Sequence, residues 1–591
     1  MSVKSTDLLA LEPAQLYDRA LAALQGGQPA DARKFLLAAA SRMPSDHEVR
    51  YLLYSALEAE GEDAFAGLAL IDAMHLHAEE FIRRVIGSDV LDQCRQTAAG
   101  MEELGLLLYK KNQMGLASYC FREALAIDAD QPRIWLSLGL TLQHQARIEE
   151  AEAVFRNIVK RWPDNASAHC YLNYALFFGV RGRMELTEEA VRWNEMHAAK
   201  RMPATPDHAN DRNPDRRLKI GYFSPIFTNH QLTQFFEPVL ANHDHEQVEV
   251  FCYSAADNPA DPAQQRLSAF IDHWRPVSRA TDIELAQMIK NDGIDILVDL
   301  WGHTTGNRLT AFAFHPAPIQ MSYLNYAVTT GMDAMDYVIH PKPFETPGED
   351  KYFTEKVLHV GDILAPFRPL DGVLPAGPTP ALESGRVTFG SFNHPAKVND
   401  EVVALWARIL KAVPDSRLLF RYRYFEDLIV QRSFRARFQA HGVDPERLEF
   451  GAYLSGLDFI NSYRELDIAL DTFPYQGGTT TVDALTAGVP VLSCEGDWFR
   501  ERVTPTNLRA CGLDELVASS YDAYVDLAVE LANDLPRLDA IRQRVRPALD
   551  ASPLRDEEAY TRTLEAAYRD VFETWCETAD QGAVKLKQSA G

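Results

Sequence analysis

The chain has 591 residues, 46% hydrophobic and 24% charged, with a formal net charge of −25; it is too long for one hydrophobic core, so two to four domains are expected. The acidic balance argues against a nucleic-acid groove or an anionic membrane surface as the main partner. Seven cysteines scattered singly exclude a C-x-x-C zinc or redox site and a disulfide framework and fit a reducing cytoplasm, and no apolar run reaches the roughly 18 residues needed to span a bilayer.

The N-terminus, MSVKSTDLLALEPAQLYDRA, lacks the apolar core and small-residue cleavage site of an export signal. Up to about residue 200 the composition is rich in Ala, Leu, Glu and Arg with helical spacing of apolar residues, which predicts an all-α region over 1–200. Gly105, Ala117 and Phe121 recur 34 residues later as Gly139, Ala151 and Phe155. That is the period of tetratricopeptide (TPR) repeats, in which small residues let paired helices approach and a phenylalanine fills the seam. Ala32, Leu36 and Pro44 echo the spacing of Ala151, Phe155 and Pro163, while 50–100 fits it poorly. The expectation is a short, irregular solenoid whose inner face binds an acceptor or partner; a helical dimerisation module is the alternative, and the oligomeric state stays open.

The stretch 201–216, RMPATPDHANDRNPDR, has no apolar periodicity and reads as a linker. After it, short apolar strands alternate with amphipathic helices: RLKIGYFS (217–224), a helix near 231–242, VEVFCYS (248–254), IELAQMIKN and DILVDLW (295–301). The pattern restarts at VTFGSF (387–392), with RLLFRY (417–422), RLEFGA (447–452) and IALDTF (468–473), and helices at 400–413, 429–441 and 457–465. Near-continuous apolar strands between helices predict parallel sheets covered on both faces. Two Rossmann-like domains are expected, at 217–375 and, with closing helices, at 386–575, parted by a Pro/Gly-rich stretch.

Ligands of open parallel sheets bind beyond the carboxyl ends of the strands. IALDTF runs straight into YQGGTTTVDALTAGVP (475–490), which puts Gly477, Gly478, Thr479 and Thr480 at a helix start, where unpaired N–H groups and the helix dipole suit an anion. Asp483, one turn in, is placed to accept hydrogen bonds from sugar hydroxyls. An N-capped helix after a tight turn would use the same residues. FGSFNHPAKVNDEVVALW (389–406) sets Asn393, His394 and Lys397 on the loop after the first strand of this domain, and Lys397 is a point charge suited to a departing phosphate, or simply an exposed loop lysine.

With WGHTTGNRLTAFAFHPAPIQMSYLNYAVTTGMDAMDYVI (301–339), FNHPAK and GGTTTVDALTAGVPVL in this order, the chain resembles the family 41 glycosyltransferases, the group of the protein O-GlcNAc transferases, over residues 215 to about 540. The resemblance implies a multidomain fold in which all-α TPR-like repeats precede a GT-B pair of α/β Rossmann-like domains. It implies inverting transfer of sugar from a nucleotide donor to Ser or Thr of a protein, with no metal and no cofactor. By position, Lys397 and the Thr479–Thr480 pair resemble the family's phosphate contacts, and Asp483 its ribose contact. Inverting transfer needs a proton path for the acceptor hydroxyl. His230, following the first strand, ranks first as the acceptor-side base; His303, after DILVDL, is expected to position, and Asp292 is a third candidate.

The sequence departs from the O-GlcNAc transferases at four places. Gly478 stands where they carry a histidine, His394 where they have glutamine, and Phe459 and Ser462 replace a base-contacting histidine and a basic residue. These changes remove donors from around a uridine diphosphate, although Phe459 retains a ring that can stack on a base. They favour a donor with one phosphate. Bacterial flagellin-modifying transferases share this layout, so the sequence favours flagellin as acceptor and a CMP-linked nonulosonic acid of pseudaminic type as donor. A UDP-GlcNAc-dependent protein transferase and a binding scaffold with an inactive domain are the alternatives.

Overall fold

A computed structural model describes residues 11–589 apart from 44–45, 47–48, 51, 54–55, 58–81, 84–86, 180–181, 205, 229, 257 and 327. Described residues of the N-terminal part form helices α1 (Pro13–Gln25), α2 (Pro29–Arg42), α3 (Ser88–Cys94), α4 (Ala98–Lys110), α5 (Met114–Ile127), α6 (Pro132–His144), α7 (Ile148–Arg161), α8 (Ala166–Phe178) and α9 (Arg183–Trp193). The 34-residue period has a direct packing cause. A Cβ on Gly105 would lie 2.6 Å from the Phe121 ring, and one on Gly139 would lie 2.4 Å from the Phe155 ring. Each glycine therefore receives the phenylalanine of the next helix, and Ala117 and Ala151 are fully buried beside them. Ala32 and Leu36 are buried on α2, whereas Pro44 and much of 50–100 lie outside the described residues.

The first α/β domain carries β1 (Leu218–Ser224), β2 (Val248–Ser254), β3 (His273–Pro276), β4 (Ile296–Asp299), β5 (Ile319–Ser322), β6 (Tyr337–His340) and β7 (Lys356–His359), in the order β3-β2-β1-β4-β5-β6-β7. Helix α10 (Thr233–Asn242) links β1 to β2, and α11 (Asp282–Asp292) leads into β4. The second carries β8 (Thr388–Ser391), β9 (Arg417–Phe420), β10 (Leu448–Phe450), β11 (Ile468–Leu470), β12 (Val491–Cys494) and β13 (Val517–Ala518), in the order β10-β9-β8-β11-β12-β13. Its helices include α12 (Asp400–Ala412), α13 (Leu428–Ala440), α14 (Thr479–Thr486), α15 (Val503–Ala510), α16 (Tyr521–Asn533) and α17 (Leu535–Asp550). Every strand pair is parallel. Strand order reverses at β1/β4 and at β8/β11, the two places where helices diverge and leave a crevice.

Two features cut across the domain boundaries read from the sequence. The last helix, α18 (Glu557–Ser589), follows the second domain in sequence but packs on the first. Glu565 on it accepts from Asp244 N at 2.8 Å and pairs with His243 Nδ1 at 2.9 Å; the Tyr560 and Tyr323 hydroxyls lie 2.7 Å apart. The linker is held as well, since Asn210 and Arg216 both bond the buried Asp295 at the start of β4.

The solenoid is not a free-standing recruitment arm. One hydrophobic cluster runs from Leu16 on α1 through the repeats to Tyr326, Val328 and Phe344 of the first domain and Ile429, Ala436 and Phe499 of the second. Polar ties close the seam: Asp427 accepts from Gly115 N at 2.6 Å, Arg500 donates to the carbonyls of Phe177 and Gly179, and Asn194 donates to Asp333. Gly331 makes the tightest approach. Its φ is +72°, and a Cβ there would lie 2.2 Å from the carbonyl carbon of Ala190 on α9. Gly331→Ala should therefore push α9 off the first domain and cost about 2 kcal/mol or more, read as a lowered thermal midpoint against wild type.

Candidate functional site

Loops from both reversal points face one another across a cavity of about 290 Å³. The first domain contributes His230 and Gln231 from the β1–α10 loop and Asn325 from the segment after β5. Across the cavity stand Asn393, His394 and Lys397 from the β8–α12 loop, Tyr475 to Thr480 without Gly477, and Asn507 on α15. The third wall comes from the solenoid, through Tyr174 and Phe178 on α8. Of the residues expected from sequence, His230, Asn393, His394, Lys397, Gly478, Thr479 and Thr480 are brought together here; His303, Phe459, Gly477 and Asp483 do not line the cavity.

The helix start is built on a buried acid. Asp471, just past β11, accepts from the N–H groups of Thr472 (2.9 Å) and Gly477 (2.7 Å) and from the Ser493 hydroxyl (2.6 Å). Burial raises its carboxyl above the usual range against these three donors. Gly477 is therefore a turn residue whose N–H is already used, and a Cβ on it would lie 2.6 Å from Thr480 Oγ1. The N–H groups of Gly478, Thr479 and Thr480 have no acceptor among the described residues, as the first turn of a helix requires unless a ligand supplies one. Thr480 offers its backbone rather than its hydroxyl, because Oγ1 donates to Asn393 Oδ1 at 2.8 Å. Gly478 has open space around it, since a Cβ there would have Val503, 4.0 Å away, as its nearest neighbour.

Lys397 completes the anion cradle. Its Nζ donates to the carbonyl of Gln476 at 2.7 Å and lies 3.7 Å from the centre of the Tyr475 ring. Burial brings its ammonium down to about 8, opposed by the nearby Asp471 carboxylate. The carbonyl contact aims Nζ at the glycine turn, beside the three unpaired N–H groups.

His394 caps this loop, accepting from Ala396 N at 3.0 Å through Nδ1. Its Nε2 meets His144 Nδ1 on α6 at 3.1 Å, and His144 Nε2 meets the Tyr109 hydroxyl on α4 at 3.1 Å. Burial holds both imidazoles well below their ordinary value, His144 at about 3. The lysine loop is thus wired to two repeat helices. Sequence reasoning misses His144, and Tyr109 behind it, because His144 meets His394 250 residues away; the repeat pattern carries no sign of it.

The three acceptor-side candidates separate. His230 lines the cavity as an exposed residue, yet desolvation by its surroundings, with cationic Arg423, brings its pKa down to about 4. Leu232 N donates to its Nδ1 at 3.1 Å, so the neutral ring carries its proton on Nε2. As arranged, His230 offers the cleft an N–H, and accepting a proton requires that loop bond to be released. His303 is fully buried: Nε2 donates to Thr330 O at 2.8 Å and Nδ1 meets Asn173 Nδ2 at 3.3 Å. It ties the β4 loop to α8 and does not reach the cavity. Asp292 ends α11 at the opposite edge of the sheet, paired with Arg275 at 2.9 Å and accepting from the Tyr253 hydroxyl.

Phe459 and Ser462 are also interior. Phe459 packs against Phe392 and Tyr463, with centroids 5.8 and 5.6 Å apart, and is 8% exposed. Asp483 is 2% exposed and its Oδ1 has no hydrogen-bond partner among the described residues. This orphaned buried acid lies one turn beyond the helix start, behind the cavity wall. Burial raises its pKa to about 8. The folded chain then holds a proton that the unfolded chain, titrating near about 3.9, releases, so ligand-free stability falls as pH rises from about 4 to 8. Asp483→Asn should melt level with wild type near pH 4 and above it at pH 8, by a few degrees or more in thermal denaturation.

Among the described residues no group of three or more His, Cys, Asp or Glu is arranged to hold a metal ion, and no helix is long and apolar enough to cross a membrane. The sequence profile of glycosyl transferase family 41 matches residues 160–363 and 373–564. A probable UDP-N-acetylglucosamine–peptide N-acetylglucosaminyltransferase SPINDLY of Petunia hybrida is 36% identical over 372 residues, 62% of this chain and 40% of that protein. The corresponding SEC protein of Arabidopsis thaliana is 32% identical over 377 residues, 61% of this chain and 38% of its own length. The match thus spans about two fifths of these curated relatives. The solved structure of an O-GlcNAc transferase mutant of Thermobaculum terrenum is 30% identical and superimposes with a TM-score of 0.76 over 98% of this chain and 100% of that one. With helical repeats ahead of two parallel-sheet domains and a family match over both, the chain belongs to glycosyl transferase family 41 and has its GT-B fold.

Proposed function

We propose that this protein is an inverting glycosyltransferase that moves a sugar from a nucleoside diphosphate donor of the UDP-N-acetylglucosamine type to Ser or Thr of a protein. The observation that carries this reading is the cradle at the β8/β11 reversal point. Lys397 Nζ and the unpaired N–H groups of Gly478, Thr479 and Thr480 converge there, opposite His230 across one cavity. A cation and three fixed donors suit the charge that grows on a departing diphosphate. Asp483 lies where the ribose hydroxyls would satisfy its orphan oxygen. The acceptor hydroxyl then enters from the first domain, with His230 hydrogen-bonding it or, once Leu232 releases Nδ1, taking its proton.

The names of the relatives favour this donor. A CMP-linked nonulosonate and a flagellin acceptor, which the sequence departures favour, have no support among them. Two of those departures, Phe459 and Ser462, are buried in the core and do not line this cavity. Three N–H donors and a lysine are also more than a single phosphate needs.

The donor is tested by thermal shift with UDP, UDP-GlcNAc and CMP. Stabilisation by the uridine compounds is expected, and a response to CMP alone would overturn the assignment. Lys397→Ala should lower transfer, followed by intact-mass spectrometry of the acceptor, by at least about 100-fold. Wild-type transfer should decline as pH rises through about 8, where Lys397 loses its proton. Unchanged transfer by Lys397→Ala would leave the chain as a scaffold with an unused site.

A further inference from the structure

The cavity holds three tyrosines that the cradle does not use. Tyr174 comes from α8 of the solenoid, Tyr422 from the segment after β9 and Tyr475 from the loop after β11. None of their hydroxyls has a hydrogen-bond partner among the described residues. All three tyrosines are part-exposed at the cavity, so their hydroxyls are free to bond a molecule that enters it.

Their placement says what. Tyr475 lies directly under Lys397 Nζ, 3.7 Å away, so its ring is beside the position of the phosphate nearest the sugar. Its orientation is set by the solenoid, because Phe177 and Phe178 pack edge-on against it at 4.6 and 5.1 Å. Tyr174 stands edge-on to Phe178 at 4.9 Å. Tyr422 packs against His394 at 5.1 Å on the far side of the lysine loop. Burial raises all three phenols above their ordinary pKa, so each remains an O–H that both donates and accepts. A pyranose attached to the phosphate presents complementary groups, hydroxyls that pair with phenols and C–H faces that rest on rings.

We infer that Tyr174, Tyr422 and Tyr475 form the sugar-recognition face of the site, so that a repeat helix takes part in selecting the donor sugar. This rests on the nucleotide-sugar reading above and extends it to the hexose. The solenoid then has two functions: its outer repeats are available to a protein, and α8 is a wall of the donor pocket.

Tyrosine-to-phenylalanine exchange tests this in the full-length chain, since it removes the hydroxyl and keeps the ring. Tyr174→Phe, Tyr422→Phe, Tyr475→Phe and the triple variant would be titrated with UDP and with UDP-GlcNAc, and thermal midpoints would verify folding. Affinity for UDP should stay within about twofold of wild type. Affinity for UDP-GlcNAc should fall about three- to tenfold for each hydroxyl that bonds the sugar, with the loss for Tyr174→Phe showing the solenoid's share. Equal losses for UDP and UDP-GlcNAc would place the tyrosines with the nucleotide and overturn the inference. So would unchanged UDP-GlcNAc binding accompanied by a raised acceptor KM, which would place them with the protein substrate. Wild-type protein that binds neither compound would overturn the donor reading and this one together.

Discussion

The buried carboxylate of Asp471 is the point on which the site depends. A charge in that position is tolerable only because three donors converge on it, and those donors are also what bends the chain from β11 into α14. With the Gly477 N–H taken up, the next three N–H groups are left facing the cavity, and the Gln476 carbonyl is left where Lys397 can reach it. Gln476 is itself clamped, its side chain donating to Cys494 O and accepting from Thr504 N. An anion site made in this way is rigid before any ligand arrives, which is the condition for stabilising charge that appears only as a bond breaks.

The second constraint is the docking of the repeats. In a GT-B fold the two Rossmann domains meet across a cleft, and here a third body closes one side of it. The Asp427 carboxylate on Gly115, the Arg500 guanidinium on the end of α8, and His303 on Asn173 each join a repeat helix to a loop of one of the α/β domains. All three groups are buried and ionisable or polar, so none can be separated from its partner without leaving an unpaired group in the interior. The repeats and the cavity are therefore mechanically continuous, through α8 and through the Tyr109–His144–His394 chain.

Much of this architecture is legible in the chain. Continuous apolar runs such as DILVDL and IALDTF mark central parallel strands, and YQGGTTTVDAL marks the strand-to-helix junction at Gly477–Thr480, because both depend on local composition. Strands β5 and β6 carry no such signal. They are four residues each and lie within HPAPIQMSYLNYAVTTGMDAMDYVI, where polar and glycine residues break the pattern. His303 follows β4, but its side chain points into the interior, since the end of a strand determines the height of a side chain and not the direction it faces; Phe459 is interior as well, on the short helix Gly456–Ser462 ahead of β11.

The sequence by itself determined the repeat period, the two α/β domains and the helix start after β11, because helix packing, parallel pairing and helix termini all follow from residues near one another in the chain. Only the tertiary structure decided which groups meet. His394 finds His144 250 residues away, and Tyr174 enters a cavity whose other walls begin at His230 and Asn393. Such contacts depend on how preformed bodies dock, and burial then sets what each side chain can do. Asp483 became an orphaned acid, Lys397 a cation poised near about 8, and His303 a structural tie.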